Sequence, residues 1–325
     1  MKNRGVLRLQ KILSGIFWAW VFVCLVTPYL PNRSLIHNLF TYVPPFALCV
    51  PALLVGLVLL VRASMKLFNR LDFANLVIVC LSSLSILGFQ FHWHRAHQDG
   101  TLRILTINVE MGNRDVPGLK EAIEEGKIDL VMMQEVKGGA ESPAAKILRD
   151  FPTWHLATAG EVTILSRWPL ADVRTFPLRS VPGRFILAAK VEAPKPFMAL
   201  TTHWSVPQIS KGFKGLTNTI SSQIHDFEDT SSALDRYHTP LIIGGDFNNP
   251  PRQGLSGMMS GRLTDAFSGA GTGFGWTYSS THLVVRIDHL YSSQELVPTF
   301  AEVGPSFGSD HYSLYTEYLW RDRLN

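Results

Sequence analysis

Cysteine and charge are the scarce components of this 325-residue chain. Three cysteines cannot build a disulfide framework. Charged residues make up 17% of the chain, against roughly 25% in a typical globular domain. With 46% apolar residues, the chain can build a core and is not intrinsically disordered. Internal repeats and low-complexity tracts are absent. Acidic residues are nearly missing from one region. Residues 1–100 hold nine Lys and Arg but only Asp72 and Asp99, a net charge of +7. Residues 101–325 carry −3. The basic balance belongs to the first hundred residues, so the remainder has no global basic field for nucleic acid.

Three long runs in that first region lack charge altogether: Ile12–Leu30, Tyr42–Val61 and Phe73–Phe91. A bilayer-crossing helix needs about 20 mostly apolar residues, and none of the runs shows a polar face at the helical period. Trp18, Trp20, Tyr29, Tyr42 and Trp93 lie in or beside them, several at aromatic-belt positions. Buried helices of a large soluble protein are the alternative. Lys2, Arg4, Arg8 and Lys11 resemble the start of a signal peptide, but no small-x-small cleavage site follows. The expectation is three transmembrane helices. Loop cations (four at the N-terminus, Arg33 in the loop 31–41, three in the loop 62–70) put the N-terminus inside. The chain is then a multi-pass inner-membrane protein whose later residues are extracytoplasmic (periplasmic). The runs contain no ionisable residue, which excludes a transport pathway. Residues 1–91 form the expected membrane module and 92–101 a polar linker. His92, His94 and His97 there read as interfacial residues rather than a metal cluster. Cys24, Cys49 and Cys80 all lie within the runs.

Residues 102–319, within an expected catalytic domain 102–325, alternate strand-like and helix-like signals. Strands are expected at 102–109, 129–134, 162–165, 185–191, 197–202, 241–245, 287–291 and 312–318. Helices are expected at Leu119–Glu125, with Asp115 as a possible cap, and across Ile209–Tyr237. Many strands with few long helices indicate an α+β fold, with sheets packed face to face and helices outside.

Polar residues interrupt this pattern at strand ends: Asn108, Gln134-Glu135, His203, Asp246-Phe-Asn248, Asp288-His289 and Ser309-Asp310-His311. Strand ends converge on one rim, where sites form. Glu135 and Asp310 offer hard oxygen ligands suited to Mg²⁺ or Mn²⁺. Asp246 suits deprotonation of a water, and Asn248 suits holding it. His311 can pair with Asp288, and His203 supplies a second imidazole. Such a collection suits hydrolysis at phosphorus. Taken singly, each piece also reads as an ordinary capped turn or core histidine.

The stretches Ile104-Leu-Thr-Ile-Asn108, Asp129-Leu-Val-Met-Met-Gln-Glu135, Thr201-Thr-His203, Gly244-Gly-Asp-Phe-Asn248, Arg286-Ile-Asp288-His289 and Gly308-Ser-Asp-His311 resemble the endonuclease/exonuclease/phosphatase superfamily. That superfamily includes deoxyribonuclease I, abasic-site endonucleases, neutral sphingomyelinases and inositol-polyphosphate 5-phosphatases. The resemblance covers about Leu102 to Tyr318, and with Pro250 and Gly275-Trp-Thr-Tyr it extends to a membrane-anchored bacterial branch. It implies a four-layer α/β sandwich of two packed, mainly antiparallel sheets flanked by helices. It implies Glu135 as main metal ligand with Asn108 and Asp310 assisting. Asp246 would activate water, Asn248 would orient it, Asp288 and His311 would form a dyad beside the phosphate, and His203 would stabilise phosphate or leaving oxygen. Trp204-Ser-Val-Pro after His203 departs from the nuclease pattern. The expected activity is a membrane-anchored, divalent-metal-dependent phosphoesterase. Its partners would be the lipid bilayer and a phosphoester from nucleic acid, nucleotide or lipid head group. An extracytoplasmic nuclease, a phospholipase C- or sphingomyelinase-like enzyme and an inert binding module are the alternatives. Lys211, Lys214, Arg179 and Arg184 are candidate basic patches, and Gly269–Gly275 reads as a flexible rim loop.

Overall fold

The computed structural model describes residues 2–29, 40, 43, 45–93, 100–110, 116, 118–139, 141–251, 254–279 and 284–324. Most of the loop 31–41 with Arg33, the start of the second apolar run at Tyr42, His94, His97 and Asp115 lie outside them. Two compact units form, one within residues 1–89 and one from residues 90–251 and 255–325.

The first unit is helical: α1 spans Lys2–Val26, α2 Val50–Ser64 and α3 Arg70–Ile86. The expectation of three membrane-length helices needs correction. Among the described residues only α1, over Leu7–Val26, is long and apolar enough to cross a bilayer. α2 has 15 residues and α3 has 17, so each is shorter than the roughly 30 Å hydrocarbon layer at about 1.5 Å per residue. α2 starts late, with a proline in its first turn. α3 ends early, because Leu87 caps it and Gly88 turns left-handed at φ 79°. α3 also starts ahead of the uncharged run and takes Asp72 into its first turn. The helices therefore do contain an ionisable group. Asp72 is buried and fully engaged. It accepts from Arg62 Nε at 2.9 and 3.0 Å, Gln10 Nε2 at 2.7 Å and the Asn69 N–H at 2.9 Å. The outward surface is apolar, with Ile16, Phe22, Leu53, Leu60 and Leu81 exposed.

The second unit is a sandwich of two six-stranded sheets. The first sheet runs β13-β14-β1-β2-β4-β3: Leu296–Val303, Leu314–Trp320, Leu102–Asn108, Leu130–Gln134, Val162–Ser166 and His155–Ala159. The second runs β5-β6-β7-β8-β12-β9: Leu170–Pro177, Phe185–Val191, Phe197–His203, Leu241–Asp246, Asp288–Ser292 and Thr264–Asp265. Each sheet has one parallel pair at its centre, β1 with β2 and β7 with β8, and antiparallel pairs elsewhere. A short ribbon, β10 (Tyr278–Ser279) with β11 (Val284–Val285), stands apart.

Alternation along the strands builds the layers. Leu130 and Met132 join Leu187, Ala189, Phe197, Ala199 and Ile242 in the core between the sheets. Val131 and Met133 point the other way, packing with Leu119 and Ile123 of helix α4 (Leu119–Glu125) and Ile147 of α5 (Pro143–Asp150). Ile186, Ala188, Met198 and Leu200 pack with Phe227 and Leu234 of α6 (Gly212–Leu234). The order is helices, sheet, sheet, helices. At Gly244 the sheets come too close for a side chain: a Cβ there would meet Leu290 Cδ2 at 2.6 Å and Met132 Sδ at 2.7 Å.

Candidate active site

Parallel neighbours end at the same edge. Asn108 lies in register with Gln134, and His203 with Asp246. Both central pairs thus deliver polar residues to one rim. β12 enters antiparallel to β8 and sets Asp288 opposite Asp246. The segment leading into β14 brings Asp310 and His311. The rim is closed across the sheets: Asn108 Nδ2 donates to Glu135 Oε1 and to Asp246 Oδ2, both at 3.0 Å. Beneath it Gln134, grouped with Glu135 in sequence, turns inward and donates to Thr201 Oγ1 of the other sheet at 3.0 Å.

Asp246 sits between two imidazoles. Its Oδ2 is 3.5 Å from His203 Nε2 and 3.7 Å from His311 Nε2. Each ring is held from behind by a carboxylate. His311 Nδ1 lies 2.9 Å from Asp288 Oδ2, and His203 Nδ1 lies 2.7 Å from Glu161 Oε1. Burial alone would lower the His311 pKa, but Asp288, Asp246 and Asp310 outweigh it and push it up to about 10. Burial alone would raise the Glu161 carboxyl, yet His203 and Arg184 together hold it below the usual range. His203 Nε2 and Asp288 Oδ1 are buried with no hydrogen-bond partner among the described residues. Unpaired buried polar atoms are costly, and here they line the space beside Asp246.

Asn248 donates through Nδ2 to the Trp204 carbonyl at 3.1 Å and to Asp246 Oδ2 at 3.2 Å. Glu135 and Asn248 both adopt left-handed backbone, φ 58° and 47°, a conformation uncommon outside glycine and frequent at functional sites. Asp310 is half-buried and reaches the cluster through its charge on His311. Trp204 is fully buried, its indole N–H bonded to Thr230 Oγ1 at 3.0 Å. The Trp-Ser-Val-Pro departure is thus core packing at its first residue.

Sequence reasoning missed Glu161 and Arg184's partnership with it. Glu161 follows Gly160 in a turn between two strands, ahead of the expected strand 162–165 rather than at the end of one. Arg184 Nε lies 2.7 Å from Glu161 Oε1, and its Nη1 donates to the Trp204 carbonyl at 2.7 Å. Arg179 pairs with Asp229 and Glu228. Two of the four candidate basic-patch residues are thus committed to carboxylates. Gly269–Gly275 is no flexible loop either: Gly271 bridges Ala301 and Gly273 bridges Gln90.

A second carboxylate–imidazole cluster lies behind the rim. His289 Nδ1 is 2.9 Å from Asp265 Oδ2, and His289 Nε2 is 3.0 Å from the Asn249 carbonyl. Arg286 Nη1 donates to Asp265 Oδ1 at 2.8 Å. Burial would raise Asp265, but Arg286 and His289 hold it well below the usual range. Gln223 of α6 donates to the Asn248 carbonyl at 2.8 Å and accepts from Asn249 Nδ2 at 3.0 Å, fixing the turn after Asp246.

The donor set fits a divalent cation. Its carboxylates are hard oxygens without sulfur: Asn108 Nδ2 joins Glu135 Oε1 to Asp246 Oδ2 at 3.0 Å each, and next to them the ligand atoms of Asp246, Asp288 and His311 lie within 4.8 Å of one another. The unpaired Asp288 Oδ1 points to a missing electrostatic partner. Asn108 presents its amide nitrogen to Glu135, and a half-turn of the amide would present its oxygen.

The Endonuclease/Exonuclease/phosphatase family model matches residues 105–311. No curated protein sequence matches the chain. A 3′–5′ exonuclease from Neisseria meningitidis is 20% identical with a TM-score of 0.54, covering 67% of this chain and 100% of that one. An AP endonuclease from Archaeoglobus fulgidus is 18% identical with a TM-score of 0.53, covering 68% and 99%. A family member from Bacteroides vulgatus is 15% identical with a TM-score of 0.55, covering 69% and 100%. These structures share the fold. With its rim, its sandwich and its family match over most of the second unit, the chain belongs to the endonuclease/exonuclease/phosphatase family, hydrolases that act on phosphoester bonds.

Proposed function

We propose that this protein is a membrane-anchored, divalent-metal-dependent phosphoesterase that cleaves its substrate by attack of water at phosphorus. The observation that carries this reading is Asp246 flanked by two imidazoles, each pinned by its own carboxylate. Asp246 Oδ2 takes a proton from water, and Asn248 orients that water. His311, its ring held by Asp288, faces the phosphoryl oxygens as a hydrogen-bond donor where charge gathers, the place where electrostatic preorganisation counts most. His203 faces the leaving oxygen through Nε2. Glu135, with Asn108 and Asp310, would hold Mg²⁺ or Mn²⁺. The ion, when bound, supplies Lewis-acid polarisation of the phosphoester.

Residues 1–91 serve as the membrane module, 92–101 as linker and 102–325 as the catalytic domain. The length and apolar character of α1 over Leu7–Val26 support a membrane anchor near the N-terminus. The cation asymmetry of the loops supports an extracytoplasmic, periplasmic catalytic domain. An active C-terminal alkaline phosphatase fusion is the expected topology result, and an inactive one would place the domain in the cytoplasm.

A nuclease would use the same chemistry. The −3 balance of residues 101–325 and the commitment of Arg179 and Arg184 to carboxylates speak against a nucleic-acid track. The direct test is turnover of bis-p-nitrophenyl phosphate by the full chain in detergent with Mg²⁺ or Mn²⁺. EDTA and Asp246→Ala should each abolish it. Turnover that survives both rules the mechanism out.

A further inference from the structure

Phe91 and Trp93 stand out on the surface of the second unit. They are 62% and 86% exposed, and their rings meet edge to face with centroids 5.4 Å apart. They follow five to seven residues after α3 ends at Ile86, in a segment, Phe89-Gln-Phe-His-Trp93, with no formal charge. The residues between and before them are fastened down. The Gln90 N–H donates to the Gly273 carbonyl at 2.8 Å, and the Gly273 N–H returns to Gln90 at 3.0 Å. The His92 N–H donates to Thr272 Oγ1 at 3.1 Å, and that hydroxyl donates to the His92 carbonyl at 2.8 Å. His92 Nδ1 lies 2.7 Å from the Gly271 carbonyl. Residues 90 and 92 face the docking segment, so 91 and 93 present their rings outward in a fixed pose.

That docking segment runs straight to the candidate site. After Gly273 come Phe274 and Trp276, stacked at 4.6 Å. Thr277 Oγ1 then accepts the N–H groups of Ile287 at 3.1 Å and Asp288 at 3.0 Å. The Tyr278 ring lies 4.9 Å from the His311 ring. Five residues span at most about 17 Å, so one short strap joins Gly273, to which the linker is fastened, to the Tyr278 ring against His311. Trp rings favour the headgroup level of a bilayer, and the Phe91 ring packs against that of Trp93.

We propose that Phe91 and Trp93 rest in the headgroup layer of the membrane that anchors the chain, and that the substrate is a phosphodiester carried by a lipid head group in that leaflet. This rests on the phosphoesterase reading above and names its substrate class. Surface attachment raises the effective concentration of such a substrate at the rim, where no global basic field would recruit a soluble polyanion.

The full chain is reconstituted into dibromo-phosphatidylcholine vesicles, and its tryptophan fluorescence is compared with that of Trp93→Phe. The quenched share of the emission should be larger in the wild type than in the variant, which keeps only the quenching of Trp18 and Trp20 in α1; equal quenching overturns the docking. Rates are then compared on vesicles of phosphatidylcholine, phosphatidylethanolamine, phosphatidylglycerol or sphingomyelin and on soluble bis-p-nitrophenyl phosphate. Phe91→Ser with Trp93→Ser should slow head-group release about tenfold, the equivalent of about 1.4 kcal/mol, and leave the soluble ester untouched. Turnover of the soluble ester without release from any vesicle overturns the lipid assignment alone. Absence of turnover on both, with Trp93 still quenched, overturns the phosphoesterase reading and the lipid assignment with it, while the docking stands.

Discussion

Two carboxylate–imidazole pairs sit one residue apart on β12 and share a spacing of 2.9 Å: Asp288 with His311, and Asp265 with His289. Their surroundings differ. In the rear pair both histidine nitrogens are engaged, and Asp265 also receives Arg286 and the Ser268 N–H. In the rim pair Asp288 Oδ1 has no partner among the described residues, and His311 Nε2 faces Asp246 at 3.7 Å. A saturated pair is scaffold, because every polar atom already has what water would have given it. An unsaturated pair keeps capacity for something that arrives. Neighbouring positions of one strand, facing opposite sides, thus divide support from chemistry.

The largest effect separates the pairs by activity. Asp288→Asn should lower turnover of a soluble phosphodiester by about 10²–10⁴-fold, the usual range for losing a positioned acid–base partner. Its stability cost should stay below that of Asp265→Asn, because His311 can release its proton when its partner is removed. Steady-state rates beside urea unfolding of the same variants read both quantities. A stability loss equal to that of Asp265→Asn would erase the distinction.

Asp265→Asn should act through the fold. It leaves Arg286, which cannot shed its charge, buried with a neutral neighbour, and removing one partner of a buried pair costs about 3–5 kcal/mol. The pH dependence gives the sign. The Asp265 carboxyl lies below its ordinary range in the folded protein. Its contribution is therefore complete above the unfolded value of about 4 and is lost as pH falls below that. Wild-type unfolding midpoints should drop between about pH 5 and pH 3, and the Asn variant should show a flatter acid limb. Parallel limbs would mean that Asp265 is not held ionised by folding.

The contrast between pairs bears on what could be read from sequence. The expected strands all lie in the body of the sheets, where both faces are covered and the chain runs apolar. In the two six-stranded sheets the strands that went unseen are edges: β3, β5, β13 and the two-residue β9. β5, Leu-Ala-Asp-Val-Arg-Thr-Phe-Pro, is largely exposed and has no apolar run to betray it. The rim residues were legible because a carboxylate, amide or imidazole ends an apolar strand abruptly. Glu161, in a turn ahead of a strand, and Asp265, in mixed sequence, gave no such signal, and Arg286 and His289 were legible beside Asp288 without their place behind the rim. The helical unit misled in length, because uncharged runs do not mark where Pro51 and Gly88 start and stop helices.

The smallest predicted effect concerns charge at the surface. Arg179 is exposed and donates to Asp229 Oδ1 at 2.6 Å and Glu228 Oε2 at 2.9 Å. Its positive charge is spent on its neighbours, so little field reaches a passing polyanion. Arg179→Ala should leave turnover of a soluble ester unchanged, and it should leave the salt dependence of any DNA hydrolysis unchanged as well. A residue that contacts a nucleic-acid phosphate would lower the slope of log K against log salt by about one. A shift of that size would put Arg179 on a nucleic-acid track and revive the nuclease reading. An unaltered slope leaves recognition to the rim itself, where the unsaturated pair and the strap from the linker meet at His311.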